Sequence, residues 1–161
     1  MILSHLSYCT IIWGSACQTT LSKCQILQRK ALRLCWGLPK DFSTSLLFNA
    51  TKKLSINDIY VYQLSSFIYL WLHGDLPEIF NEICCTQSNV HTHNTRHSSS
   101  NKLTLKYRKN LKLSNTASVQ GPKYWNLLPE EITESYSIDS FHHKLKKYLL
   151  SSKNENIFIK M

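Results

Sequence analysis

The apolar segment between Ser55 and Gly74 constrains the fold of this chain more than any other feature. Its aromatic and aliphatic residues occupy nearly the whole circumference when they are placed on a helix at about 100° per residue. Ser55 is suited to cap the first turn of that helix, and Gly74 is suited to follow the last turn. Because a helix that is apolar all round is buried on more than one side, the sequence predicts a mainly α fold in which residues 56–72 form a helix with more than one packing partner.

Apolar periodicity predicts further helices at residues 3–13, 20–36, 78–83 and 118–128, and a final helix that begins after Ser137. The buried face of the helix at 20–36 is expected to comprise Leu21, Cys24, Leu27, Ala31, Leu34 and Cys35. The apolar stripe of the final helix is expected to comprise Ile138, Phe141, Leu145, Tyr148 and Leu149.

The predicted organisation is an irregular helical fragment with a short extended or strand segment near 102–113. By its length of 161 residues the chain corresponds to about one domain. We expect a helical region at 1–83, a polar loop at 84–101, a basic arm followed by helices at 102–151, and a frayed tail at 152–161.

Positive charge is unevenly distributed along the chain. The formal net charge is +9, from 19 Lys and Arg against 10 Asp and Glu. Residues 1–40 and 83–129 contain several cations and not one acid, whereas soluble surfaces usually mix the two signs. This segregation favours a polyanionic partner, with nucleic acid ahead of a membrane surface. No stretch approaches the roughly 18 apolar residues of a membrane-spanning helix, so no membrane partner is predicted.

The candidate nucleic-acid-binding residues are cations of these two acid-free regions. They are Lys23, Lys30, Arg33, Arg96, Lys102, Lys106, Arg108, Lys109, Lys112 and Lys123. Cations that neutralise phosphates, beside aromatics that stack on unpaired bases, are what binding to a single strand or a hybrid requires. Tyr107, Tyr124 and Trp125 are the neighbouring aromatics. The alternative is that Tyr124 and Trp125 anchor a core, which we favour for Trp125 because tryptophan is usually largely buried.

The six cysteines are even in number, which is compatible with three disulfides in a secreted protein. Four of them fall in apolar segments predicted to be helical, where a free cysteine behaves as a small buried hydrophobe. We therefore expect reduced thiols in an intracellular compartment, nuclear or cytoplasmic.

A cysteine and histidine cluster suggests zinc, but its spacing argues against a metal site. Its members are Cys84, Cys85, His91, His93 and His97. Adjacent cysteines cannot readily aim both thiolates at one tetrahedral ion. We expect no metal and no other cofactor.

Catalytic patterns are also missing from the sequence. No serine or cysteine has the context of an activated nucleophile, and the four glycines are too isolated for a phosphate-binding loop. His142 and His143 are offset by about 100° on the final helix, so we expect them to face solvent and to share no ligand. No catalytic residue is predicted.

Three matches, two of which consist of a pair of stretches, occur along the chain in the order found in a known family. Residues 120–129 read Gln-Gly-Pro-Lys-Tyr-Trp-Asn-Leu-Leu-Pro, and residues 140–150 form a basic Ser-Phe-x-x-x-Leu-x-x-Tyr-Leu helix. The other two matches lie upstream, one at residues 90–96 and one in the pair of stretches at 4–14 and 27–33. Together they resemble the closing part of the reverse transcriptases of jockey-like non-LTR retrotransposons.

The resemblance implies the thumb-like and post-palm end of an RNA-directed DNA polymerase, which grips template RNA and the cDNA hybrid with little sequence readout. Polymerase chemistry needs carboxylates that converge on divalent cations. The aspartates at 41, 58, 75 and 139 are isolated, and Glu130-Glu131 follows Pro129 where carboxylates favour the start of a helix. We therefore expect no enzymatic activity from this chain alone.

The prediction is a non-catalytic mobile-element fragment that binds RNA or RNA–DNA hybrid without sequence specificity. A palm domain or another protein is the expected second partner of the helix at 56–72, which would otherwise leave an apolar patch exposed. The alternative is a decayed retroelement remnant, or a helical module that binds a protein through that helix and has no nucleic-acid role.

Overall fold

The computed structural model describes residues 2–80, 102–105 and 115–151. This part of the chain is mainly α, as the sequence predicts. In chain order the helices are α1 (Ile2–Ser7), α2 (Thr10–Trp13), α3 (Gln18–Cys35), α4 (Thr44–Thr51), α5 (Ile56–Leu72), α6 (Ala117–Leu127), α7 (Glu130–Thr133) and α8 (Ile138–Ser151), with a 3₁₀ turn at Glu78–Phe80. Residues 102–105 are non-helical and none of the described ranges forms a strand. The rest of the predicted 102–113 segment lies outside them.

The long helix α5 has the predicted limits and the predicted cap. The Ser55 backbone N–H donates to the Asp58 carboxylate at 3.1 Å, and the Asp58 N–H donates to Ser55 Oγ at 3.4 Å. These reciprocal bonds satisfy two donors that a helix start leaves open. At the other end Gly74 has φ +77°, and the Asp75 N–H donates to the Leu70 carbonyl at 2.9 Å. Gly74 adopts this left-handed conformation without the steric cost of a Cβ, and the helix ends there.

The first predicted helix is instead two short helices. Cys9, between α1 and α2, has φ +51°, a left-handed conformation that interrupts a right-handed helix. Gly14 ends α2 in close contact with α5, because a Cβ at Gly14 would lie 2.4 Å from the Tyr60 ring. This contact, which apolar periodicity does not report, ties the segment to α5.

The predicted buried face of α3 is right at Leu21 but wrong at Leu27, Leu34 and Cys35. Leu27 and Leu34 are 63% and 85% exposed, and the buried residues are Leu21, Gln28 and Leu32. Gln28 is buried because its amide is fully used: Nε2 donates to the Leu54 carbonyl at 2.9 Å, and Oε1 accepts from the Ile56 N–H at 3.1 Å. A buried polar side chain is tolerated when its hydrogen bonds are satisfied, so the face that carries Gln28 packs inward.

The chain divides into two compact units, Met1–Tyr62 with His143–Met161, and Gln63–His142. Apolar residues buried in the first unit include Leu21, Leu32, Leu47, Phe48, Leu54, Ile56, Ile59, Leu145 and Leu149. Those buried in the second include Leu64, Ile68, Tyr69, Leu103, Trp125, Leu128, Ile132 and Phe141. The α8 stripe is thus inward-facing, as predicted.

The expected apolar patch on α5 is absent. Every apolar side chain of α5 is buried or half-buried. A palm domain or another protein against residues 56–72 therefore stays a prediction. Among the described residues, none of the helices combines the length and the apolar character needed to cross a membrane.

Candidate nucleic-acid interface

The net positive charge belongs to one of the two units. The unit formed by residues 1–62 and 143–161 contains twelve Lys and Arg against three Asp and Glu, which accounts for the whole net charge of +9. The unit formed by residues 63–142 contains seven of each sign. A polyanion is therefore attracted most strongly to the first unit.

Two predicted cations lie on the solvent side of α3, and a third does not. Lys23 and Lys30 are exposed. Arg33 is half-buried, and its guanidinium donates to the Phe42 carbonyl at 2.8 Å and to Thr44 Oγ1 at 3.4 Å. Arg33 thus joins α3 to the start of α4, so the structure does not group it with the two lysines.

The remaining predicted cations belong to the unit without net charge. Lys102 and Lys123 are half-buried. The other five, Arg96, Lys106, Arg108, Lys109 and Lys112, lie outside the described residues.

The clearest basic surface is on α8, and it is not among the sites that the sequence predicts. His143, Lys144, Lys146 and Lys147 are all exposed, while Phe141, Leu145 and Leu149 on the same helix are fully buried. We call these four residues the α8 basic face. The sequence does contain a signal for this face: each of these basic residues falls between positions of the predicted apolar stripe, so its side chain points away from that stripe.

The expectation that His142 faces solvent is wrong. Its Nε2 lies 3.0 Å from Ser66 Oγ, in a hydrogen bond between α8 and α5 within the second unit. Burial lowers the pKa of His142, and the nearby Asp139 carboxylate partly opposes this shift. Periodicity alone gives no sign of a polar partner on another helix.

Of the three aromatics near the basic residues, Trp125 is structural, and Tyr107 lies outside the described residues. Trp125 is 2% exposed and its ring centroid lies 5.8 Å from that of Phe141, which in turn stacks on Tyr69 at 4.5 Å. The Tyr69 hydroxyl donates to the Ser135 carbonyl at 2.8 Å. Trp125 is therefore a core anchor and cannot stack on a base. Tyr124 is half-buried, and burial raises its pKa.

Asn126 holds the backbone of Leu103, at the start of the predicted arm. Its Oδ1 accepts from the Leu103 backbone N–H and its Nδ2 donates to the Leu103 carbonyl, both at 2.8 Å. Leu103 itself is fully buried. One side chain thereby satisfies both backbone groups of a buried residue, as a neighbouring strand would do.

A cavity between α1, α3 and the residues that follow α4 is lined mainly by apolar side chains. It has a volume of about 330 Å³ and is lined by Leu3, Leu6, Gln28, Leu32, Cys35, Trp36 and Lys53. Because most of this lining is apolar, the cavity does not suit a phosphate. In the described part of the chain no group of three or more His, Cys, Asp or Glu could hold a metal ion, and the cluster at 84–97 lies outside that part.

Comparison of the chain with models of protein families, with curated proteins and with solved structures finds no match. The assignment of a function therefore depends on the chain's own residues.

Proposed function

We propose that this chain is a non-catalytic, intracellular C-terminal fragment of a retrotransposon RNA-directed DNA polymerase, and that it binds RNA or RNA–DNA hybrid without sequence specificity. The observation that carries the nucleic-acid role is the α8 basic face. Its four basic side chains are exposed on a helix whose opposite side is fully buried. The motif series described above supports the retroelement origin.

The chemistry of this face suits a phosphate backbone better than base edges. Lys146 and Lys147 present point charges on flexible stems, which neutralise phosphates without the bidentate geometry that reads a base. Of the aromatics that the sequence places near the basic residues, Trp125 is buried together with Phe141 and is not available to stack on a base. Binding is therefore expected to be electrostatic and insensitive to sequence.

The α8 basic face can be tested by removing its charge. The variant Lys144→Gln/Lys146→Gln/Lys147→Gln should weaken binding to a short RNA–DNA hybrid at low salt by about tenfold or more, because a phosphate that is no longer neutralised keeps its condensed counterions. The measurement is fluorescence anisotropy with a labelled hybrid. Circular dichroism should show unchanged helix content, because exposed side chains contribute little to stability.

A matched variant separates a local interaction from the effect of net charge. Glu130→Gln/Glu131→Gln/Glu134→Gln raises the net charge by three units, whereas the lysine variant lowers it by three, and its changes are on exposed residues of α7 and its C-cap. It should change hybrid affinity much less than the lysine variant. Equal and opposite effects of the two variants would show that net charge alone drives binding and that α8 is no interface.

The basic arm is a second, independent contributor. Changing Lys106, Arg108, Lys109 and Lys112 together to Ala should flatten the salt dependence of binding by roughly 0.7 to 0.9 log units for each phosphate that the variant no longer neutralises. If this fourfold variant binds as tightly as the wild type at low salt, the arm does not touch the backbone of the nucleic acid.

A decayed remnant or a protein-binding helical module is the second candidate. One observation favours protein binding: Leu27 and Leu34 are exposed on α3. If neither the α8 lysine variant nor the fourfold arm variant weakens hybrid binding, the nucleic-acid proposal fails and this candidate replaces it.

A further inference from the structure

The solvent side of α3 carries an apolar stripe with a basic edge. Leu27 and Leu34, seven residues apart, are the exposed ends of the stripe, and the smaller Ala31 lies between them at helical spacing. Lys23 and Lys30 are exposed and lie within about 60° of the leucines around the helix axis. We call these five residues the α3 outer face.

Neither the fold nor nucleic-acid binding accounts for this face. The inward side of α3 is filled by Leu21, Gln28 and Leu32, so the outer leucines add nothing to the core. A phosphate backbone would pair with Lys23 and Lys30 but would leave aliphatic side chains uncovered, and bases stack on aromatic rings, not on leucine.

We propose that the α3 outer face binds an amphipathic helix of a partner protein whose apolar stripe is bordered by Asp or Glu. Apolar residues seven apart are the anchors by which one helix recognises another. α3 has 18 residues, about 27 Å in length at 1.5 Å per residue, which is enough for several turns of contact. This proposal does not rest on nucleic-acid binding.

Charge selects the acidic partner over other helices. No Asp or Glu occurs in residues 1–40, so nothing on α3 itself neutralises the basic edge. A second copy packed antiparallel on the same face would bring its basic edge to the same side of the interface as the first, and such like-charge contacts disfavour pairing. Carboxylates along the edge of a partner helix match the lysines while its apolar residues cover Leu27 and Leu34.

The test uses the full chain and two designed peptides of about three heptads. Both have leucine at positions a and d; one has glutamate at e and g, and the other has lysine there. The acidic peptide, which its own charge repulsion keeps from pairing with itself, should bind the protein, and the basic peptide should not. Binding is measured by fluorescence anisotropy of the labelled peptide.

Two variants locate the binding face. Leu27→Ser/Leu34→Ser should weaken binding of the acidic peptide by about tenfold or more, as expected when central apolar anchors are removed. Lys23→Glu/Lys30→Glu should reverse the preference in favour of the basic peptide. The control Ile79→Ser/Leu105→Ser also changes two exposed aliphatic residues, outside the α3 outer face, and should leave binding unchanged.

Several outcomes would overturn the proposal. Equal binding of the two peptides, or equal weakening in the control variant, would show unspecific apolar association. Self-association in sedimentation that Leu27→Ser/Leu34→Ser abolishes would assign the face to a second copy. Binding to vesicles of anionic phospholipid that the same variant abolishes would assign it to a membrane. The Leu27→Ser/Leu34→Ser variant should bind hybrid as tightly as the wild type. Failure of the peptide-binding proposal would therefore leave the proposed nucleic-acid function standing.

Discussion

Individual side chains in residues 120–126 explain why this stretch forms the core of its unit. Gly121 permits close approach to α5, Trp125 fills the space beside Phe141, and Asn126 holds the backbone of Leu103. Each role depends on one residue type, so conservative changes are informative at these positions.

Asn126 tests the backbone clamp. Asn126→Ala should reduce the free energy of unfolding by about 1 to 3 kcal/mol, because it leaves the buried N–H and carbonyl of Leu103 without their partner. Chemical denaturation of the purified chain measures this. The control is Asn57→Ala, since Asn57 is exposed and bonds to the half-buried Gln25; it should change stability by about 0.5 kcal/mol or less. Equal effects would contradict a clamp.

Gly121 tests the close approach to α5. A Cβ at this position would lie 2.8 Å from Ile68 Cδ1 and 3.1 Å from its Cγ1, so Gly121→Ala should destabilise the fold by steric overlap. Ile68→Val removes Cδ1 and on its own should cost about 0.5 to 1.5 kcal/mol. The double variant should lose less stability than the sum of the losses in the two single variants, because the valine makes room for the alanine. Strict additivity in the denaturation cycle would argue against this close approach.

Cys17 should be an unusually reactive thiol. It is exposed just before α3, and its Sγ lies 3.0 Å from Thr19 Oγ1 and 3.2 Å from Thr20 Oγ1. The hydrogen bond from Thr19, followed by that from Thr20, lowers the pKa of Cys17 to about 7. Because the thiolate is the nucleophile, its alkylation rate should reach half its maximum near pH 7. Thr19→Val/Thr20→Val should move that midpoint toward higher pH in mass-spectrometric alkylation profiles, and an unmoved midpoint would rule out the two hydroxyls as the cause.

At the scale of elements, sequence periodicity predicts helices well but not always the side that packs. The limits of α5 and the stripe of α8 follow from local caps and from one clear apolar face. α3 has apolar residues on two sides, and the choice between them depends on Gln28, whose partners lie at residues 54 and 56. Periodicity does not predict α4, which contains Ser and Thr and is only eight residues long.

The orientation of α3 gives a direct stability test. Leu32→Ala removes a buried side chain and should cost about 2 to 5 kcal/mol, whereas Leu34→Ala changes an exposed one and should cost about 0.5 kcal/mol or less. Both substitutions are to the best helix former, so propensity does not separate them. Thermal or chemical denaturation decides between the two faces, and a larger cost for Leu34→Ala would restore the face that periodicity predicts.

At the scale of the whole molecule, charge and apolar exposure identify separate surfaces. The α8 basic face suits a polyanion, and the α3 outer face combines leucine with lysine and suits an acidic helix. The sequence predicts basic surfaces in residues 1–40 and 83–129, and five of its ten candidate cations lie outside the described residues. The α8 lysines are not among these candidates, although the predicted apolar stripe of that helix already implies that they point away from the core.

The most direct test of the proposed function is the salt dependence of hybrid binding by the wild-type chain. If several lysines neutralise phosphates, the logarithm of the association constant should fall linearly with the logarithm of salt concentration, with a slope of about −0.7 to −0.9 per neutralised phosphate and a total of about −2 or steeper. Hybrids of unrelated sequence should give the same line. A chain that fails to bind hybrid at low salt, or whose binding does not change with salt, would contradict the proposed function.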